Sequence, residues 1–246
     1  MKPSIVYYSN NRLPDELQRH VLENLTRADA ELICVTWQPV PVPHILWPRH
    51  VADHRNIYEQ ILAGIDAAHG DRIALAEHDV LYPADYFQAL GDAASAGLVY
   101  NTNVWRLDRN GYFRPSNRHL LSNCGGRRSA LVRGIRQKLA EAKRGVPEWA
   151  EPAADSEFAA PHPTVDIRHG RNFTGERRPR RGRYRQRIPY WGPWERYASL
   201  FASLDEGDHA VGGDVAQAVH DAARPAHLQV RRSRRTQSEV NAKIAL

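Results

Sequence analysis

The sequence predicts an α/β protein built on one mostly parallel sheet flanked by helices, with a basic C-terminal extension. Strand-like and helix-like runs alternate through the first half of the chain. A hydrophobic run at Ala74, Leu75 and Ala76 ends abruptly in Glu77, His78 and Asp79. Arginines gather late: nine stand between Arg168 and Arg187, against a single acid, Glu176.

With 246 residues, the chain is long enough for one substantial core rather than two equal ones. Hydrophobic residues at 42% and charged residues at 25% are ordinary globular values, which excludes collagen-like, pervasively disordered and membrane classes. No run approaches the roughly 18 apolar residues of a membrane span, and the N-terminus lacks a long signal-like apolar stretch, so a cytoplasmic protein is expected. Cys34 and Cys124 lack CxxC spacing, which argues against a thiolate zinc site or a disulfide framework.

The elements follow in order. Ser4 to Tyr8 is a β-branched and aromatic run stopped by Ser9, Asn10 and Asn11, hence a strand and a polar loop. A helix is expected from Asp15, just after Pro14, to Leu25, and a second strand over Glu31 to Trp37. Pro39, Pro41, Pro43 and Pro48 make the next stretch an extended connector, because prolines remove amide donors. From Asp53 a helix is expected, with Ile57, Ile61, Leu62 and Ile65 on one face and Arg55 and Asn56 at its start. Arg72 to Ala76 is a short central strand, and Pro83 opens a helix to about Ala94. Leu98 to Tyr100 and Val104 to Leu107 read as strands near a turn at Asn110 and Gly111. Gly125 and Gly126 precede an amphipathic helix with Leu131, Ile135, Leu139 and Ala142 on its buried face. After Glu157 the pattern weakens, and Arg168 to Trp194 reads as a long functional loop.

Ligands of open α/β sheets bind at the carboxyl ends of strands, where Glu77 and Asp79 emerge. Hard divalent cations prefer carboxylate oxygens and leave positions for substrate phosphates, so the pair suits a nucleotide diphosphate held through Mg²⁺ or Mn²⁺. An isolated acid-x-acid can also merely cap the following helix.

Followed by Tyr82-Pro83-Ala84-Asp85-Tyr86-Phe87, the segment resembles the DxD region of GT-A glycosyltransferases, particularly family 2. The resemblance runs in order over residues 1 to 175, which defines the expected catalytic domain; residues 176 to 246 form the basic and aromatic extension. It implies a nucleotide-sugar donor, most simply a UDP-sugar, held by Tyr8, Ser9 and Asn10 of the first strand and loop and by Arg55 and Asn56. It implies Asp79 as the direct metal contact, with Glu77 on the donor ribose or a metal-bound water; the family has Asp where Glu77 stands. His78 either faces the ligand or points into the core.

By the same resemblance, His169 on a C-terminal loop completes the metal shell, and Arg168 and Arg171 neutralise the departing diphosphate. An inverting transfer needs a carboxylate base, for which Asp155 and Glu157 both stand as candidates. Cys124, Gly125 and Gly126 resemble the small-residue loop that approaches sugar and acceptor, although glycine pairs also make ordinary turns.

Arg177, Arg178, Arg180, Arg181, Arg183, Arg185 and Arg187, interleaved with Tyr184 and followed by Tyr190, Trp191 and Trp194, combine phosphate contacts with stacking surfaces. DNA carrying a hydroxylated base, such as a phage-type hydroxymethylpyrimidine, is therefore the leading acceptor. A polysaccharide or lipid-linked glycan acceptor, a noncatalytic nucleic-acid-binding protein and a nucleotidyltransferase remain as alternatives.

Overall fold

The computed structural model describes residues 2–13, 15–94, 97–116, 118–144, 151–168 and 184–201, all within one compact unit, Met1–Gly207. His169, Arg171, Arg180, Arg181 and Arg183 lie outside the described residues, as does the expected domain boundary at 175.

Along the chain come β1 (Ser4–Ser9), α1 (Asp15–Thr26), β2 (Glu31–Thr36), β3 (His44–Leu46), α2 (His54–Ala67), β4 (Arg72–Glu77), β5 (Val80–Leu81) and α3 (Tyr86–Ala93). Next are β6 (Leu98–Asn101), β7 (Val104–Leu107), β8 (Phe113–Pro115), β9 (Cys124–Arg127), α4 (Arg128–Lys143), β10 (Ser156–Phe158) and β11 (Thr164–Ile167). A short hairpin of β12 (Arg187–Ile188) and β13 (Gly192–Pro193) completes the set.

Seven strands form the main sheet in the order β10-β6-β9-β4-β1-β2-β3. Only β9 runs against the others. The mostly parallel α/β sheet expected from the sequence is therefore present. Period-two alternation sorts its faces. Ile5, Tyr7, Ala74 and Ala76 join the residues of α1 and α3 in one core layer. Val6, Tyr8, Ile73 and Leu75 join Tyr58, Ile61, Ile65, Leu131 and Ile135 of α2 and α4 in the other. A second sheet, β5-β11-β7-β8, packs its Val80, Leu81, Leu107, Phe113, Val165 and Ile167 against the first layer.

Helix α2 begins one residue after its expected start because Asp53 is its cap, the carboxylate accepting from the Asn56 amide at 2.6 Å. The predicted turn after β7 is also present, with Gly111 at φ +79°, where a side chain would be strained. Pro83 stands outside α3, which starts three residues later. Inside the proline-rich connector, His44–Leu46 pairs with Cys34–Thr36 as the outermost parallel strand.

Gly125 and Gly126 are not a loop. They lie in β9 between β4 and β6, and a Cβ on Gly126 would stand 2.4 Å from the Gly97 carbonyl oxygen and 3.1 Å from the Leu98 Cα. Close approach of three backbones requires glycine here.

Candidate active site at the carboxyl edge of the sheet

Strand β4 delivers Glu77 to the carboxyl edge beside Tyr8, its registered partner on β1. The Tyr8 hydroxyl donates to the Glu77 carboxylate. Tyr82 closes the turn from below: its hydroxyl accepts from the Glu77 amide at 3.0 Å and donates to the Ser122 carbonyl at 2.9 Å. Burial pushes the Glu77 carboxyl well above its ordinary value, the charge of Asp79 adds to the rise, and the Tyr8 hydrogen bond opposes it. Glu77 and Asp79 are thus close enough for each charge to disfavour the other.

Asp79 is itself buried, and its carbonyl accepts from the Ile167 amide at 2.8 Å, which ties the acidic turn to β11. Asp166 follows on β11, holding Arg106 at 3.0 Å and Arg168 at 3.5 Å. His78 is half-buried between the two acids. Beside them, Asn123 accepts from the Thr164 hydroxyl at 2.5 Å within a buried network that includes Asn101.

Several expected donor contacts are occupied within the fold. Asn56 is buried, its side-chain oxygen accepting from the Trp47 indole at 2.6 Å. Arg55 faces solvent and pairs with Glu59 at 2.9 Å. Ser9 and Asn10 accept the amides of Asn11 and Arg12 and so shape the loop after β1. Arg168, expected at the diphosphate, is buried and pairs with Asp166.

Asp155 belongs to the opposite end of the sheet. It accepts from the Leu98 amide at 2.8 Å, and Leu98 is level with Gly126 and Ile73. Four residues of β4 separate that level from Glu77, about 13 Å at ~3.3 Å per residue. Glu157 lies on the edge strand β10, where it holds His119 at 2.6 Å, and His119 stacks on Tyr100. Three strand spacings, roughly 14 Å, divide β10 from β4.

Cys124 is fully buried in the α2/α4 layer, so neither it nor the glycines after it present a surface to an acceptor. Trp191 is an anchor: it is 8% exposed and its indole donates to the Pro163 carbonyl at 2.6 Å. Tyr190 differs. It is 48% exposed, has φ +68°, stacks on His162, and its hydroxyl accepts from the Ala84 amide at 3.0 Å. A non-glycine residue held in the left-handed region is a form of stored strain associated with binding sites.

Glu151 carries a signal that the sequence reading missed. Burial pushes its carboxyl up to about 7, with the Leu121 amide and Lys138 partly offsetting the rise. Its charge is felt by Tyr8, Tyr58, Tyr100 and Cys124. Nothing in its local sequence, an acid before Pro152, marks it as withdrawn from solvent.

Together these features describe an α/β protein whose acidic strand end lies at the carboxyl edge of a mostly parallel sheet, next to arginines of a smaller sheet. No protein-family model and no curated protein sequence matches the chain. Similar solved structures include S. aureus TarS 1–349 in complex with UDP-GlcNAc, at 10% identity and a TM-score of 0.47, over 72% of this chain and 62% of that one. The same fragment bound to UDP matches at 10% identity and a TM-score of 0.44, over 69% and 61%. A nucleotidyl transferase from Methanothermobacter matches at 13% identity and a TM-score of 0.39, over 59% and 84%. The chain thus spans less than two thirds of the TarS fragment, and these likenesses concern the fold alone. No helix among the described residues is long and apolar enough to cross a membrane.

Proposed function

We propose that the protein is a metal-dependent glycosyltransferase that takes a sugar from a nucleotide-diphosphate donor, with DNA bearing a hydroxylated pyrimidine as acceptor. The observation that carries the reading is the crowding of Glu77 and Asp79 at the carboxyl edge of β4. Among the described residues no three His, Cys, Asp or Glu side chains share a metal position. The donor set fits a different mode, in which Mg²⁺ or Mn²⁺ takes one or two protein carboxylates and fills its remaining positions with water and substrate phosphate.

Asp79 would be the direct ligand, with Glu77, held by Tyr8, beside the donor ribose or a bound water. Held there, Mg²⁺ or Mn²⁺ would supply charge neutralisation for the departing diphosphate. Arg168, one residue beyond β11, would share that charge. From their place in the sequence, His169 remains assigned to the metal shell and Arg171 to the diphosphate. Of the two base candidates, Glu157 is the one retained, because its strand ends on the carboxyl edge and its carboxylate already holds an imidazole. The arginine run from Arg177 to Arg187 and the exposed ring of Tyr190 support a nucleic-acid acceptor.

Asp79→Asn preserves size while removing one charge, and donor hydrolysis and transfer should fall by two or more orders of magnitude. Radiolabelled nucleotide sugars with hydroxymethylated DNA provide the assay, and near-normal turnover in saturating Mn²⁺ would refute the metal assignment. On the acceptor side, DNA binding should weaken steeply with salt, and replacing Arg180, Arg181 and Arg183 by Ala should flatten the slope without loss of donor hydrolysis. Salt-insensitive or absent DNA binding would remove DNA as acceptor.

A further inference from the structure

The hairpin of β7 and β8 places Arg106 directly opposite Arg114. Like charges in that relation destabilise a sheet. Arg168 and Arg118 crowd the same place: burial depresses the Arg106 guanidinium below its ordinary value, Asp166 opposes this, and the charges of Arg168, Arg114 and Arg118 deepen it. Asp166 is shared by Arg106 and Arg168. Arg114 is half-buried, and its Nε atom is shut off from solvent with no hydrogen-bond partner.

Arg106 and Arg168 share Asp166, the charges of Arg114 and Arg118 bear on the same Arg106 guanidinium, and the Arg114 Nε has no acceptor. The cluster also grades from buried Arg168, through half-buried Arg106 and Arg114, to exposed Arg118, so it opens to solvent on one side. Planar guanidinium forks match phosphate oxygens in bidentate geometry, and an anion seated on the open side of the cluster would relieve the repulsion between Arg106 and Arg114.

We propose that Arg106, Arg114, Arg118 and Arg168 form a phosphate-binding site on the small sheet, beside the acidic strand end. The phosphate is either the diphosphate of a donor or a phosphodiester of an acceptor. The site stands on the arginines alone and does not require the glycosyl-transfer reading.

The test is thermal unfolding of the full-length protein in EDTA at constant ionic strength, with pyrophosphate, UDP or an eight-residue oligothymidylate as probe. At least one probe should raise the wild-type melting temperature by several degrees, and Arg114→Gln should lose at least tenfold in affinity for it. Protection by pyrophosphate and UDP identifies the donor diphosphate as the source; protection by the oligonucleotide alone identifies an acceptor phosphodiester. Arg118→Gln, at an exposed position, should weaken the same probe without touching the fold. Without ligand, Arg114→Gln should melt at or above the wild-type temperature, since it removes a repelling charge. The proposal is overturned if no probe protects the wild type, if protection survives Arg114→Gln, or if that variant melts several degrees lower without ligand. Asp79→Asn should keep the protection, so loss of sugar transfer and loss of this site are separately visible.

Discussion

Glu151→Gln should change how stability depends on pH. In the folded protein burial holds the Glu151 carboxyl at about 7, against an ordinary value of 4.5. A carboxyl raised on folding contributes stability that is complete below the unfolded value and is lost as pH rises through the folded one. At about 1.4 kcal/mol per unit, the shift corresponds to roughly 3 kcal/mol lost between pH 4.5 and somewhat above pH 7. Glutamine keeps the shape and accepts from the Leu121 amide without ionising, so the variant should escape this loss. Urea unfolding followed by circular dichroism from pH 4 to pH 8.5 measures it: the stability of Glu151→Gln relative to wild type should rise with pH by up to that amount. A difference between the two proteins that stays constant across the range would refute the raised Glu151 carboxyl.

Gly126→Ala would push a methyl group to 2.4 Å from the Gly97 carbonyl oxygen, and that oxygen cannot withdraw without disturbing the pairing of β9 with β6. A cost of about 3 kcal/mol is expected for such overpacking. For a protein of this size it should lower Tm by roughly 10 °C, read by calorimetry, and an unchanged Tm would show that β9 is not wedged there. At the same level of the sheet, on β2, burial tends to raise the Glu31 carboxyl, but hydrogen bonds from His69 and Ser4 outweigh it and hold it down at about 2. Stability from a lowered carboxyl is present above 4.5 and lost as pH falls through 2, so Glu31→Gln should destabilise modestly at pH 7 and not at all near pH 2. The exposure of His69 keeps the effect within about 1 kcal/mol, and a destabilisation that persists at pH 2 would show that packing, not charge, is what glutamine disturbs.

Elements with a strong local pattern were legible in the sequence. Helix α1 starts at its expected residue, α2 begins beside its Asp53 cap, and β1, β4, β6 and β7 fall within a residue of the expected runs. What escaped were short strands made by pairing alone. His44–Leu46 lies among prolines and exists because Cys34–Thr36 offers an open parallel edge. Ser156–Phe158 and Thr164–Ile167 are likewise three and four residues long, stabilised by partners distant in sequence. Cys124–Arg127 looked like a loop because two glycines usually signal a turn; here they mark backbones brought too close for a side chain.

For the site, the same distinction decides which residues could be read. Glu77 and Asp79 were visible because strand and acids are contiguous, so the strand itself carries them to the edge. Asp155 and Glu157 are two residues apart, yet one sits at the amino end of its strand and the other holds His119; only the pairing of β10 with β6 tells them apart. Arg106 and Arg114 are a different case. They stand face to face because the connection from Leu107 to Phe113 is centred on Asn110, whereas a two-residue turn at Asn110 and Gly111 would set Arg106 against Pro115. The hairpin that brings the two arginines near each other was legible from the turn, but the register that opposes them was not. The buried carboxylate of Asp166 and the approach of Arg168 were not, because they arrive on β11, some sixty residues later, through a parallel pairing that no local pattern announces.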